Sequence, residues 1–440
     1  MALSKRHWWI VGVAAVILAV VVGLVVNASV PRATRASGTS PAAAPTTDGP
    51  APTGAPSSAS ASPSPTPSSS PSPGPSSAPS PTPSGSPSGS AAKDAAAQKL
   101  AAMTLEQKVG QVLMVSSPVT GADADSLYAL DTLHVGNVFM KGRSTAGQAG
   151  VAAVVQAATA HVNGTRTAGV RPFVATDQEG GLVQIMQGPG FDPMPEAIEQ
   201  GQLAPDVLQA DATRWGRQLA SAGVNVNLAP VLDTVPSAAF APQNAPIGAF
   251  GREYGYTPAT VSSHGVAFAK GMLAAGVSPA VKHFPGLGRV TANTDIAKDV
   301  TDNTTVRNDP YIAPFRDAVN AGVPWLMIAN AYYPKIDPKN LAPFSSVIVT
   351  DMVRGDLGFK GIVVSDDICD AVQVSAVPVS ERGVDFLAAG GTVALCTNEA
   401  LLPQMYAGLL AAAKKPGFAA TLDAAALRVL EAKSAAGLIG

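Results

Sequence analysis

Asp366 closes a short apolar run, Gly361-Ile-Val-Val-Ser365, and is followed at once by Asp367. A carboxylate carried to the end of a buried strand is placed to attack or stabilise an electrophilic carbon. A second acid must then protonate the leaving oxygen, and the two together make a retaining glycosidase. Asp366 is the candidate nucleophile; Asp367 reads as a helix cap or an orienting group. The other informative stretch is Val281-Lys-His-Phe-Pro-Gly-Leu-Gly-Arg-Val-Thr-Ala-Asn-Thr-Asp295. An apolar run ends in Lys282 and His283, Pro285, Gly286 and Gly288 break it, and a polar loop follows to Asn293, Thr294 and Asp295. That loop is the natural source of the acid. A lone Lys-His pair is ordinarily a solvated strand end, so its meaning depends on what else reaches the same place.

Eight short apolar runs are spaced through the second part of the chain, at 109–116, 135–140, 172–176, 224–230, 277–281, 325–329, 361–365 and 392–395. Near-continuous apolar runs are the mark of parallel strands buried on both faces. Helical patterns separate them, for example 144–161, 204–222, 257–275, 309–321 and 350–357, and 422–436 makes a closing helix. Eight βα repeats predict a closed (β/α)₈ barrel, with a doubly wound sheet as the alternative, although no GxGxxG follows the first run. In a barrel the C-terminal strand ends share one mouth. That mouth would collect Lys141, Arg143, Asp177, Gln178, Glu179, Asn225, Asn227, Asp233, Lys282, His283, Asn330, Tyr332, Ser365, Asp366, Asp367, Thr397 and Asn398. Such a set of hydrogen-bonding groups suits a polyhydroxylated ligand. Each taken singly also reads as a cap or a solvated charge.

The 440 residues are 46% hydrophobic and 14% charged, with a formal net charge of −2. No basic stripe supports nucleic-acid binding. The two cysteines, Cys369 and Cys396, lack metal-ligand spacing, which argues against a structural zinc site; they read equally as a pair or as two buried thiols. At the start, Lys5 and Arg6 precede an uncharged run over 8–26, long enough to span a bilayer, with Trp8 and Trp9 suited to the interface. We expect residues 1–28 to be a signal anchor or a signal peptide that sends the rest outside the cytoplasm. Residues 29–92, mostly Pro, Ser, Ala, Thr and Gly, predict a disordered, extended spacer. Residues 93–440 are then the catalytic barrel.

Over nearly all of 95–440 the chain resembles the family 3 glycoside hydrolases, in their single-domain bacterial β-N-acetylglucosaminidase form. The motifs that carry the resemblance are Asp177-Gln-Glu-Gly-Gly181, Leu228-Ala-Pro-Val-Leu-Asp233, Lys282-His-Phe-Pro-Gly286 and Gly361-Ile-Val-Val-Ser-Asp-Asp367, in family order. The resemblance implies a retaining mechanism with Asp366 as nucleophile. It implies that Asp177, Lys282 and His283 hold sugar hydroxyls, that the sugar is N-acetylglucosamine, and that no cofactor is needed. In such enzymes the acid/base is a histidine in an Asp-Ser/Thr-His triplet after Lys-His-Phe-Pro-Gly. Here the aligned triplet is Asn293-Thr294-Asp295. Asp295 becomes the acid/base candidate, with neutral Asn293 in place of the partner carboxylate. Leu182 stands where an arginine is usual, and Asn330 stands where a histidine is expected. Arg252 either replaces the sugar-binding arginine or pairs with a neighbouring acid.

The sequence therefore predicts an extracytoplasmic glycosidase, membrane-anchored or secreted, releasing β-linked N-acetylglucosamine from cell-wall saccharides. Its partners would be a saccharide substrate and, through the first helix, a membrane. The rivals are a glycan-binding barrel without turnover and a family 3 glycosidase for another sugar, such as a β-glucosidase.

Overall fold

A computed structural model of the protein describes residues 89–162 and 164–439. The expected membrane or signal segment and nearly all of the expected spacer lie outside the described residues. The first described helix, Gly89–Ala102, begins four residues before the expected start of the barrel at 93. Among the described residues no helix is long and apolar enough to cross a membrane.

Eight parallel strands follow in chain order. They are β1 (Leu113–Pro118), β2 (Asn137–Lys141), β3 (Phe173–Thr176), β4 (Val226–Asn227), β5 (Ser278–Phe284), β6 (Trp325–Ile328), β7 (Ile362–Ser365) and β8 (Ala394–Cys396). Each strand pairs with the next from β1 to β7, and β8 pairs with β1. A bridge between Val364 and Val393, with Ser365 N donating to Val393 O at 3.1 Å, links β7 to the approach of β8 and closes the ring. The strand interiors are buried throughout, as an all-parallel barrel covered by helices requires. Inside the ring Phe173 and Trp325 meet edge to face with centroids 5.0 Å apart.

All eight predicted strands are present, with shifted ends. Residues 109–111 belong to a helix, Leu105–Gln111, and not to β1. Thr104 and Gln107 form a reciprocal capping box there, a Thr-x-x-Gln helix start that outweighs the apolar run behind it. The fourth run shrinks to two residues because Pro230 has no N–H to offer a ladder. The fifth extends instead, so that Lys282 and His283 lie within β5. The expected helices appear as Gly147–Thr159, Pro205–Ser221, Pro258–Ala274 and Ala313–Asn320, and as a π-helical stretch at Val347–Asp356. Leu402–Ala413 and Pro416–Ala435 finish the barrel, the last starting six residues before the expected 422.

Candidate active site

A cavity of about 280 Å³ opens at the C-terminal mouth of the barrel. All seven predicted site residues line it: Asp177, Arg252, Lys282, His283, Asn293, Asp295 and Asp366. Phe139, Leu228, Met327 and Leu395 supply apolar wall between them.

Asp366 follows the last residue of β7. Its Oδ1 accepts from the Asp367 N–H at 2.8 Å, and its own N–H donates to Ile328 O at 2.9 Å. Burial pushes its carboxyl up from the usual 3.8 to about 6; His283 acts against that rise, while Asp295 and Asp367 add to it. Asp367 also borders the cavity but is buried. It accepts from Thr397 Oγ1 at 2.6 Å and from the N–H groups of Thr397, Cys369 and Asp370. It is therefore the expected orienting group, tying the end of β7 to the end of β8. Desolvation raises its proton affinity, and the Thr397 hydroxyl opposes the change. Cys369 and Cys396 form a disulfide across the same two strand ends, which decides between the two readings left open by the sequence.

Opposite lies a ladder of alternating charge. Lys282 Nζ is 2.6 Å from both Asp177 Oδ1 and Glu179 Oε1. Glu179 in turn receives Arg252 through Nε at 2.8 Å and Nη2 at 2.7 Å. Desolvation works against the Glu179 carboxylate, but the two cations outweigh it and hold the group near 2. Burial likewise opposes the Lys282 ammonium, and Asp177 and Glu179 overcome it, so its pKa rises. Arg252 thus forms the ion pair offered as one of its two readings, and it also faces the cavity. Three of its five N–H groups are spent on Glu179 and Pro246 O, leaving two for a ligand. The Gly180-Gly181 pair is needed to fold this ladder inward. Both glycines have positive φ, and a Cβ at Gly180 would stand 2.1 Å from Pro195 O.

His283 Nδ1 lies 2.6 Å from Oδ2 of fully buried Asp233, whose Oδ1 also accepts from Leu287 N at 2.8 Å. A carboxylate only accepts here, so Nδ1 carries the donated proton and Nε2 is left for a ligand.

The loop after β5 brings in Asn293 and Asp295. Asn293 Oδ1 accepts from the Asp295 N–H at 2.9 Å, a tight turn that presents the Asp295 carboxylate, exposed, at the rim. Two bonds hold this loop against the segment after β7: Val372 N donates to Asp295 O at 3.0 Å and Gln373 N to Thr294 O at 3.1 Å. The buried Gln373 amide clasps both backbone groups of Val300.

Not every polar strand end faces the cavity. Asn225 and Asn227 staple β3 to β4 through backbone groups of Val174, Pro172 and Gln178. Asn330 donates to Asp367 O, Lys141 pairs with Glu399, and Arg143 holds the carbonyls of Leu182 and Gln184. The expectation that the whole set serves a ligand is corrected: these five fix the ends of a ring whose loops would otherwise leave backbone groups unpaired. Sequence reasoning gathered Glu179 and Asp233 at the mouth only as ligand-type groups, not as the partners of Lys282, Arg252 and His283, and it assigned no role to Asp370 or Gln373. The first two lie inside motifs singled out by spacing, so a signal existed. Asp370 and Gln373 carry no local signal.

A closed parallel barrel with a carboxylate at one strand end, a second on a neighbouring rim loop, and a clamp of charged donors between them is the architecture of a carbohydrate-active enzyme. Residues 104–432 match the family profile described as the N-terminal domain of glycosyl hydrolase family 3, and the chain belongs to that family. It is 33% identical over 237 residues to a beta-hexosaminidase of Nitrosomonas eutropha, covering 52% of this chain and 65% of that protein. It is 33% identical over 249 residues to a beta-hexosaminidase of Stenotrophomonas maltophilia, covering 54% and 71%. The matches thus span about two thirds of these curated relatives. Among solved structures, a beta-N-acetylhexosaminidase from Beutenbergia cavernae superposes with a TM-score of 0.74 at 48% identity, covering 75% of this chain and 98% of that one. A family 3 beta-N-acetylglucosaminidase from a Paenibacillus species gives 0.67 at 27% identity, covering 76% and 63%.

Proposed function

We propose that this protein is a retaining glycosidase that releases β-linked N-acetylglucosamine from cell-wall saccharides. The observation that carries this reading is the gathering of Asp366, Asp295 and the Asp177–Lys282–Glu179–Arg252 ladder around one cavity. Family membership and the hexosaminidase names of the relatives support the sugar.

In the first step ionised Asp366 attacks the anomeric carbon and the glycosidic C–O bond breaks. Asp295 gives its proton to the departing oxygen. In the second step Asp295 takes a proton from water, which displaces Asp366 and restores both groups. Asp177, Lys282, His283 Nε2 and the two spare Arg252 N–H groups hold the sugar hydroxyls.

The test is turnover of an aryl β-N-acetylglucosaminide by the wild type, Asp366→Ala and Asp295→Ala. Asp366→Ala should fall to background. Asp295→Ala should lose about 10²- to 10⁴-fold on substrates with poor leaving groups, and much less on the aryl substrate. A folded wild type that binds the sugar without turnover would favour the binding-barrel reading, and faster cleavage of a β-glucoside would change the sugar.

The same proposal places the enzyme outside the cytoplasm, anchored or secreted. The uncharged run over 8–26 behind Lys5 and Arg6 supports it, as does the Cys369–Cys396 disulfide, a bond that persists in oxidising compartments. Recovery of the chain in the cytosolic fraction would overturn it.

A further inference from the structure

The charges at the two ends of the cavity are unequal. At the sugar-holding end, Lys282 and Arg252 offset Asp177 and Glu179, and Asp233 is engaged with His283. At the other end, where Asp366 faces the rim, three carboxylates line the wall in addition to buried Asp367: Asp366, Asp295 and Asp370. The loops carrying Asp295 and Asp370 are joined by the Val372–Asp295 and Gln373–Thr294 backbone bonds, so the two exposed carboxylates border the same side. Asp370 Oδ1 accepts from Asn398 Nδ2 at 2.8 Å, which adds no positive charge. Arg382 is buried behind this loop, bound to the carbonyls of Val377, Ile368 and Cys369, and its attraction is shared between Asp367 and Asp370. Lys298, the basic residue nearest on the rim loop, does not line the cavity.

We infer that the leaving-group side of this site selects glycosides whose second sugar is uncharged or carries an ammonium group, and disfavours those whose second sugar bears a free carboxylate. This rests on the glycosidase reading above and adds the charge of the aglycone to it. Asp370 is the specificity-determining residue that takes no part in bond making. Since Asp295 carries a proton when it acts as the acid, the repelling charge is that of Asp370; one carboxylate several ångströms from a ligand charge in a partly hydrated mouth is worth on the order of 10-fold in kcat/KM.

The experiment compares kcat/KM of the full chain on three disaccharides with N-acetylglucosamine β-1,4-linked to N-acetylglucosamine, to glucosamine, or to N-acetylmuramic acid with its lactyl carboxylate free. An aryl β-N-acetylglucosaminide serves as the reference. The expected order is the ammonium-bearing sugar at or above the neutral one, with the carboxylate-bearing sugar about 10-fold below, and a gap that narrows at high salt. Asp370→Asn should raise the rate on the carboxylate-bearing sugar several-fold and leave the neutral one within about twofold of wild type. Equal or faster cleavage of the carboxylate-bearing sugar, or no effect of Asp370→Asn on the ratio, overturns the inference. Failure to cleave even the aryl and neutral substrates instead overturns the glycosidase reading.

Discussion

Asp366 stands between opposing influences. Burial and its neighbours Asp295 and Asp367 favour the protonated carboxyl, while His283 and the Asp367 N–H favour the carboxylate. In its proposed role as nucleophile it must be ionised, so kcat/KM should rise with pH through about 6. Asp295→Asn removes one of the repelling charges, so this rising limb should move to lower pH, read on an aryl substrate that needs little acid help. A limb that stays in place would mean that the two carboxylates do not sense each other. The same competition bears on stability. Because the folded state holds this proton more tightly than the unfolded chain, Asp366 contributes its full stability below the ordinary 3.8 and loses it as pH rises through about 6. The loss is at most about 3 kcal/mol at pH 7, since the group is only half-buried. Asp366→Asn should therefore unfold at higher denaturant than the wild type at pH 7 and at nearly the same denaturant at pH 4. Equal midpoints at both pH values would show that burial costs this carboxylate little.

The elements that matter are two strand ends and one loop. The ends of β7 and β8 are joined twice, by the Asp367 carboxylate and by the Cys369–Cys396 disulfide, whose partners lie 27 residues apart. Closing a loop of that length stabilises the fold by about 3–4 kcal/mol on chain-entropy grounds. Cys369→Ser with Cys396→Ser should lower stability by about that amount. It should also lower kcat more than it raises KM, because Asp366 is held by Asp367 and Asp367 by its bonds to Cys369 N and Thr397. Equilibrium denaturation and steady-state rates, with and without reductant, check this; a double variant with wild-type stability and kcat would remove the disulfide from the account. The rim loop is held differently, by the Gln373 amide and two backbone bonds, with no ion pair between it and the segment after β7 among the described residues.

On the scale of the molecule, the ring brings positions far apart in the chain to one mouth and seals the other end. At the sealed end Lys433 of the last helix is fully buried and donates to Gln111 Oε1 at 2.8 Å and Gly136 O at 2.9 Å. Burial without a carboxylate partner drives its pKa well down. The final helix is thereby joined to the segments entering β1 and β2, the first two strands of the barrel.

The barrel was legible because its signal is local. An apolar run followed by a helical pattern, eight times over, leaves few other packings, and the strand ends erred where a second local rule applied, the Thr104 capping box and the missing N–H of Pro230. That the seven candidate residues would share one cavity was legible for a related reason: in a parallel barrel, strand polarity alone sends every C-terminal end to one mouth, and the motif resemblance pointed to particular residues there. What the sequence by itself determined was therefore the ring, its direction and the chemical types at its mouth. Which side chains face a ligand and which hold backbone was decided only by the tertiary structure. Asn225, Asn227 and Asn330 look like ligand groups in sequence, yet they pair with neighbouring backbone groups. Glu179 looks like one more acid, yet it is the hub between Lys282 and Arg252. Asp370 joins Asp295 only because two loops meet through backbone hydrogen bonds. Hydrogen-bond satisfaction and charge pairing depend on distances across the ring, and those distances are set only when all eight strands have closed.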